Sequence, residues 1–133
     1  MIPIYRAKMI DSNEYVVGWL KTCTDTGVIL WIQTRDWIDY QIDESTLAIH
    51  FPDMLDIQGN KIFASLSEDG RGGSIFNFEG EAYVVIFCID LSINAFEINS
   101  LNSICPDSLY EWRNKDFKDE SKKYDLKVIG IQE

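Results

Sequence analysis

A two-residue alternation of apolar and polar side chains, broken every 8 to 12 residues by turn-forming residues, constrains this chain more than any other feature. Ile4, Arg6 and Lys8 alternate with Tyr5, Ala7 and Met9 across 2–9, and Asp11-Ser12-Asn13 then signals a turn. Glu14 to Lys21 reads as a second strand, with Gly18 marking a bulge or a close approach of backbone. Val28 to Thr34 is too uniformly apolar to have one wet face, which predicts a strand that is central or buried against something on both sides. Trp37 to Ile42 alternates cleanly, and Thr46 to Phe51 is a short strand stopped by Pro52. Gln58-Gly59-Asn60 lies between Met54–Ile57 and Lys61–Ala64, a hairpin or tight turn because Gly and Asn tolerate positive φ. Ser74–Phe78 and Glu81–Asp90 pair across Glu79-Gly80, Ala95–Asn99 adds a strand, and Tyr124–Gln132 closes the series.

A single helix is expected, over Asp107–Asp116: Pro106 precedes capping residues Asp107 and Ser108, and Leu109, Trp112 and Arg113 fall at i, i+3, i+4. Ten residues are marginal alone, so this helix must pack through Leu109 and Trp112. About ten short strands with little helix indicate an all-β barrel or sandwich. Closure into a barrel would also remove the free edges of strands apolar enough to aggregate.

Charge narrows the partners. The chain carries 12 Lys plus Arg against 22 Asp plus Glu, a net charge of −10. Sequence-independent nucleic-acid binding draws on neutralised phosphates, so general nucleic-acid binding is disfavoured. The clusters Arg113, Lys115, Lys118 and Lys122, Lys123, Lys127 are interleaved with acids and read as a solvated mixed-charge face. The longest apolar run, Ala82 to Ile89, is too short for a membrane-spanning helix, which needs about 20 residues. The three cysteines, Cys23, Cys88 and Cys105, have no CxxC spacing, and no secretory signal pattern is evident at the N-terminus. A reduced, cytoplasmic protein is the expectation.

The chemistry-bearing motifs point away from catalysis. Cys88 sits in an apolar run and reads as a buried hydrophobe, and the one histidine, His50, has Ile49 and Phe51 as neighbours at a strand end. Acid pairs such as Asp36 with Asp39, or Asp53 with Asp56, carry no signal among 22 acids and read as solvated carboxylates. No zinc or calcium-loop spacing occurs. The Gly-rich stretch Ser67–Ser74 lacks the Lys and Ser/Thr of a phosphate loop and reads as a mobile connection. The expectation is no enzyme, no catalytic residue, no cofactor and no metal.

Three separated pieces resemble the YopX family of phage and prophage proteins. They are Ile4-Tyr5-Arg6-Ala7 followed by Glu14-Tyr15-Val16-Val17-Gly18-Trp19-Leu20, then Ile42 to Leu47 with the Met54–Phe63 hairpin, and the closing Val128-Ile129-Gly130-Ile131. Family members continue the hairpin into an acidic "E-G-D" step, whereas here Ala64 to Gly73 intervenes, with only Glu68-Asp69-Gly70 as an echo. The resemblance implies an all-β fold with small SH3-like β-barrel elements and no established enzymatic activity. It implies one YopX-like domain over 1–133, with a division into two sub-barrels joined near 65–75 left open.

With four Trp, six Tyr and seven Phe, the chain has more bulky aromatics than a core of this size readily hides, and interfaces favour them. Trp19, Trp31, Trp37, Phe51 and Trp112 are the candidates for partial exposure. The expected function is a non-enzymatic, self-associating protein-binding module, its partner a host or phage protein or another copy. The alternatives are a nucleic-acid-associated β-barrel using Arg6, Lys8, Lys21 and Arg35 with Tyr5 and Trp19, or an acidic mimic acting on a host nucleic-acid-binding protein. Against the mimic, the acids are scattered through turns rather than arranged in rows.

Overall fold

The computed structural model describes residues 3–23, 29–78, 81–88, 95–100, 110–113 and 116–133. Eleven strands form among them: Ile4–Lys8 (β1), Tyr15–Cys23 (β2), Ile29–Gln33 (β3), Asp39–Gln41 (β4), Ala48–His50 (β5), Ala64–Ser65 (β6), Ser74–Phe78 (β7), Glu81–Cys88 (β8), Ala95–Ser100 (β9), Tyr110–Arg113 (β10) and Lys127–Ile131 (β11). A 3₁₀ turn, Glu44–Thr46, lies between β4 and β5, and one helix, Asp116–Tyr124 (α1), lies between β10 and β11. Nine strands follow one hydrogen-bonded path, β10-β9-β8-β6-β5-β1-β2-β3-β4, which does not close into a barrel among the described residues. Among the described residues the fold is therefore mostly β, as the alternation predicts, with one short helix near the C-terminus.

Long strands let the path turn. β2 pairs with β1 through Tyr15–Gly18 and with β3 through Trp19–Cys23, so the strand serves two sheets in succession. Gly18 sits at the change of partner, where a Cβ would overlap the carbonyl oxygen of Gln33; this is the close approach expected there. β8 pairs with β9 along one edge, and on the other with β7 over Glu81–Val84 and with β6 at Ile86. The β6–β8 contact is the single parallel pairing among the described residues. β11 joins through β7, with Ile129 left over as a bulge between Val128 and Gly130. At the far end, one antiparallel bridge, Met9 to Ile42, brings the end of the β4 segment back beside β1.

Two apolar clusters result. The larger contains Ile49, Met54, Ile62, Phe76, Val85, Ile98, Trp112, Phe117 and Leu126, and the smaller Ala7, Val16, Ile32, Ile42 and Leu47. Tyr5 and Leu66 pack against both.

Three local expectations are corrected. The helix is not where the i, i+3, i+4 pattern places it: Tyr110–Arg113 is strand, paired antiparallel with β9 over Ala95–Ile98, and the helix begins at Asp116. Cross-strand pairing overrides a weak helical pattern of three residues. Residues 107–109, 114 and 115 of the expected helix lie outside the described residues. The real helix buries Phe117 and Ser121 one turn apart, and the Ser121 Oγ donates to the Leu55 carbonyl at 2.7 Å, so its inward face is not an apolar stripe. Its acids Asp116 and Asp119 fall in the first turn and Lys122 and Lys123 in the last, complementing the macrodipole on an otherwise solvated face.

The Gly-rich stretch is a packed loop rather than a mobile one. Gly70, Gly72 and Gly73 are buried. Gly72 N–H donates to the Gln132 carbonyl at 2.7 Å, Gln132 N–H donates to the Gly73 carbonyl at 2.9 Å, and the Ser65 hydroxyl donates to the Arg71 carbonyl at 2.6 Å. Gly72 takes φ +83° with the Thr46 backbone where a Cβ would stand, so close approach explains the glycine.

Asp56, expected to be solvated, is 5% exposed. Its carboxylate accepts from the N–H groups of Gln58, Asn60 and Val128 and from the Asn60 side-chain amide, all at 2.8–3.1 Å. Together with Ile57 N–H donating to the Leu126 carbonyl at 2.9 Å, it fastens the tight turn after Met54 onto the start of β11.

Candidate interaction face

The β2-β3-β4 meander buries Leu20, Leu30, Ile32, Tyr40 and Ile42 against the smaller core. By strand alternation, the opposite side carries Val17, Trp19 and Lys21 from β2, Trp31 and Gln33 from β3, and Asp39 and Gln41 from β4. The register aligns Trp19 with Gln33, Lys21 with Trp31, Trp31 with Gln41, and Gln33 with Asp39. Lys21 Nζ reaches Asp39 Oδ2 at 3.1 Å, an ion pair spanning from β2 to β4 across the strand that carries Trp31. Exposed as it is, that pair is worth no more than about 1 kcal/mol and chiefly fixes the two side chains.

Beyond Gln33 the chain turns through Thr34–Ile38. Trp37 N–H donates to the Thr34 carbonyl and Thr34 N–H to the Ile38 carbonyl, both at 3.0 Å. Trp37 takes φ +63°, left-handed backbone that a bulky residue adopts at a cost of roughly 1–2 kcal/mol. The residue is 77% exposed, so burial offsets little of that cost. The adjoining Ile38, and Trp19 and Val17 on β2, are also exposed.

The expected aromatics therefore divide. Trp19, 41% exposed, Trp31, half-buried, and Trp37 share the β2-β3-β4 meander and its turn. Phe51 is half-buried against the larger core, its ring centroid 6.1 Å from that of Phe87. Trp112 is a correction: at 7% exposure it is a core residue, stacked on Phe76 at 6.1 Å and edge-on to Phe117 at 5.3 Å. A strand position facing the helix encloses the ring.

The expected basic and aromatic platform does not assemble as one face. Tyr5 alternates with Arg6 and Lys8 along β1 and packs into the cores, Arg6 is buried, and Lys21 is paired with Asp39. His50 is also engaged: Nδ1 lies 2.9 Å from the Ile62 carbonyl and the ring 5.4 Å from Phe63. Burial pushes the His50 pKa below 6.5, against the opposing pull of that carbonyl. The side chains of Cys23 and Cys88, and all of Cys105, lie outside what is described. Among the described residues no group of three or more His, Cys, Asp or Glu is placed to hold a metal, and no helix is long and apolar enough to cross a membrane.

No family model, curated protein or solved structure matches this chain.

The residue that sequence reasoning missed is Asp56. Its signal is an Asp placed two residues before Gln58 and four before Asn60, the spacing of an Asx-type turn, which the abundance of acids conceals.

Proposed function

We propose that this chain is a non-enzymatic protein-binding module, YopX-like and of phage or prophage origin, that associates through Trp37 together with Ile38, Trp19 and Val17. The observation that carries the reading is Trp37: a large aromatic on a turn, exposed, in a backbone conformation that favours Gly or Asn. Stability alone does not select Trp there, whereas an anchor for a partner's pocket does. In this reading the β1–β5 half is an SH3-like barrel element. In its support, the strands run in the order β5-β1-β2-β3-β4, with a 3₁₀ turn between β4 and β5 and the Met9–Ile42 bridge across the gap.

The test is retention on the immobilised chain at physiological salt, with wild type compared against Trp37→Gly and Trp19→Ser. Binding of a protein, or of the chain's own soluble form, that both substitutions weaken is expected. Capture of oligonucleotides instead, unaffected by the substitutions, would transfer the role to the nucleic-acid alternative.

A further inference from the structure

His50 is only 4% exposed, yet one of its ring nitrogens is unused. Nδ1 lies 2.9 Å from the Ile62 carbonyl, which can only accept, so Nδ1 carries the proton. Burial, aided by the nearby charge of Lys61, pushes the pKa down and keeps the imidazole neutral at pH 7. Nε2 is then a bare acceptor. It bonds no described residue, and it is not among the polar atoms cut off from solvent, which are Arg6 Nε and the Tyr15 hydroxyl. An acceptor on a side chain set this deep ordinarily has a donor.

His50 lines a cavity of about 260 Å³ together with Ile4, Pro52, Leu55 and Lys61. Two cross-strand contacts build it. Ile4 on β1 is aligned with His50 on β5, and Leu55 is bridged to Lys61 across the tight turn, while Pro52 follows directly where β5 has stopped. Leu55 is 37% exposed, and Pro52 and Lys61 are exposed as well, so the cavity opens to solvent. Three of its five side chains are hydrocarbon, and roughly 150 Å³ between apolar walls is enough for one benzene ring. The polar lining is selective. Lys61 repels amines and metal cations, and no group of three His, Cys, Asp or Glu among the described residues is placed to hold a metal. A lone acceptor such as Nε2 bonds only a ligand that brings a donor.

We propose that this cavity binds a small phenol, whose hydroxyl donates to His50 Nε2 and whose ring packs against Ile4, Pro52 and Leu55. The ring matches the apolar walls, and a phenol is uncharged at neutral pH, so Lys61 does not repel it. The positive charge of Lys61 also favours the partial negative charge that the oxygen gains as its hydrogen is shared with Nε2. The site is separate from the Trp37 surface and does not depend on it.

His50 is the only histidine of the chain, so its ring nitrogens can be followed individually. The test titrates the full chain, with ¹⁵N-labelled histidine and at neutral pH, with phenol and separately with anisole, which keeps the ring and the oxygen but has no donor. Phenol should shift the Nε2 resonance saturably, with a smaller change at Nδ1, which keeps its bond to Ile62. Anisole should bind about ten-fold more weakly, the scale of one hydrogen bond. Leu55→Gln, at a partly exposed wall position, should weaken phenol several-fold while leaving the fold intact by circular dichroism. The absence of a saturable Nε2 shift, anisole binding as tightly as phenol, or a phenol affinity indifferent to Leu55→Gln in the folded variant would each overturn the assignment.

Discussion

The carboxylate of Asp56 accepts the backbone N–H of Val128 at 2.9 Å, across 72 positions of sequence. That bond makes a short turn the anchor for the last strand, which pairs only with β7 and lacks a sheet partner on its other side among the described residues.

Asp56→Ala should destabilise the protein by about 2–3 kcal/mol, because it removes at once the acceptor shared by the half-buried Val128 N–H and the N–H groups of Gln58 and Asn60. Burial pushes the Asp56 carboxyl up, but the hydrogen bonds from Val128, Asn60 and Gln58 outweigh it and hold the pKa below 3.8. Its contribution is therefore complete above 3.8 and lost as the pH falls through the lower folded value. Denaturant titrations between neutral and strongly acidic pH should show a decline below pH 3.8 that Asp56→Ala lacks.

His50 acts at milder acidity. Its folded pKa lies below 6.5, so the unfolded chain takes up the proton first. Stability should be constant above about 6.5 and fall as the pH drops below it, until the folded value is passed. His50→Gln should flatten that part of the urea-midpoint profile, whatever its effect on stability at neutral pH.

Two glycines with nearly the same φ should respond differently. Gly59, at φ +84°, has open space where a Cβ would stand, with nothing within 4 Å, so Gly59→Ala should cost about 1 kcal/mol of backbone strain. Gly72, at φ +83°, would drive a Cβ into the Thr46 backbone, so Gly72→Ala should cost about 2–5 kcal/mol. Equal melting temperatures for the two variants would contradict the packed-loop description.

How much of this was legible in the sequence depends on where the decisive contacts lie. Strands β1, β2, β3, β7 and β8 have alternation or long apolar runs, and the turn at Gly59-Asn60 has its residues in plain view. The 110–124 segment did not, because Trp112 is set by pairing with a distant strand and the inward face of α1 includes Ser121, a polar residue matched to the Leu55 carbonyl. The 67–74 loop has the composition of a flexible linker, and only its contacts with Arg6, Ser65 and Gln132 explain why its glycines are buried. Of the five aromatics expected at an interface, alternation along β2 and β3 places Trp19 and Trp31 on one side, while the backbone of Trp37 could not be read from residue type.

Trp37→Gly should raise stability by about 0.5–1 kcal/mol, the relief of left-handed strain less the added flexibility of Gly in the unfolded chain. Thermal melts of wild type and variant check this, and a lowered melting temperature would mean that the indole contributes packing that outweighs the strain.

Sedimentation velocity of wild type and Trp37→Gly across a wide concentration range tests association through this turn most directly. Wild type should shift to a heavier species with rising concentration while the better-folded variant stays monomeric. Identical sedimentation of the two at every concentration would contradict it.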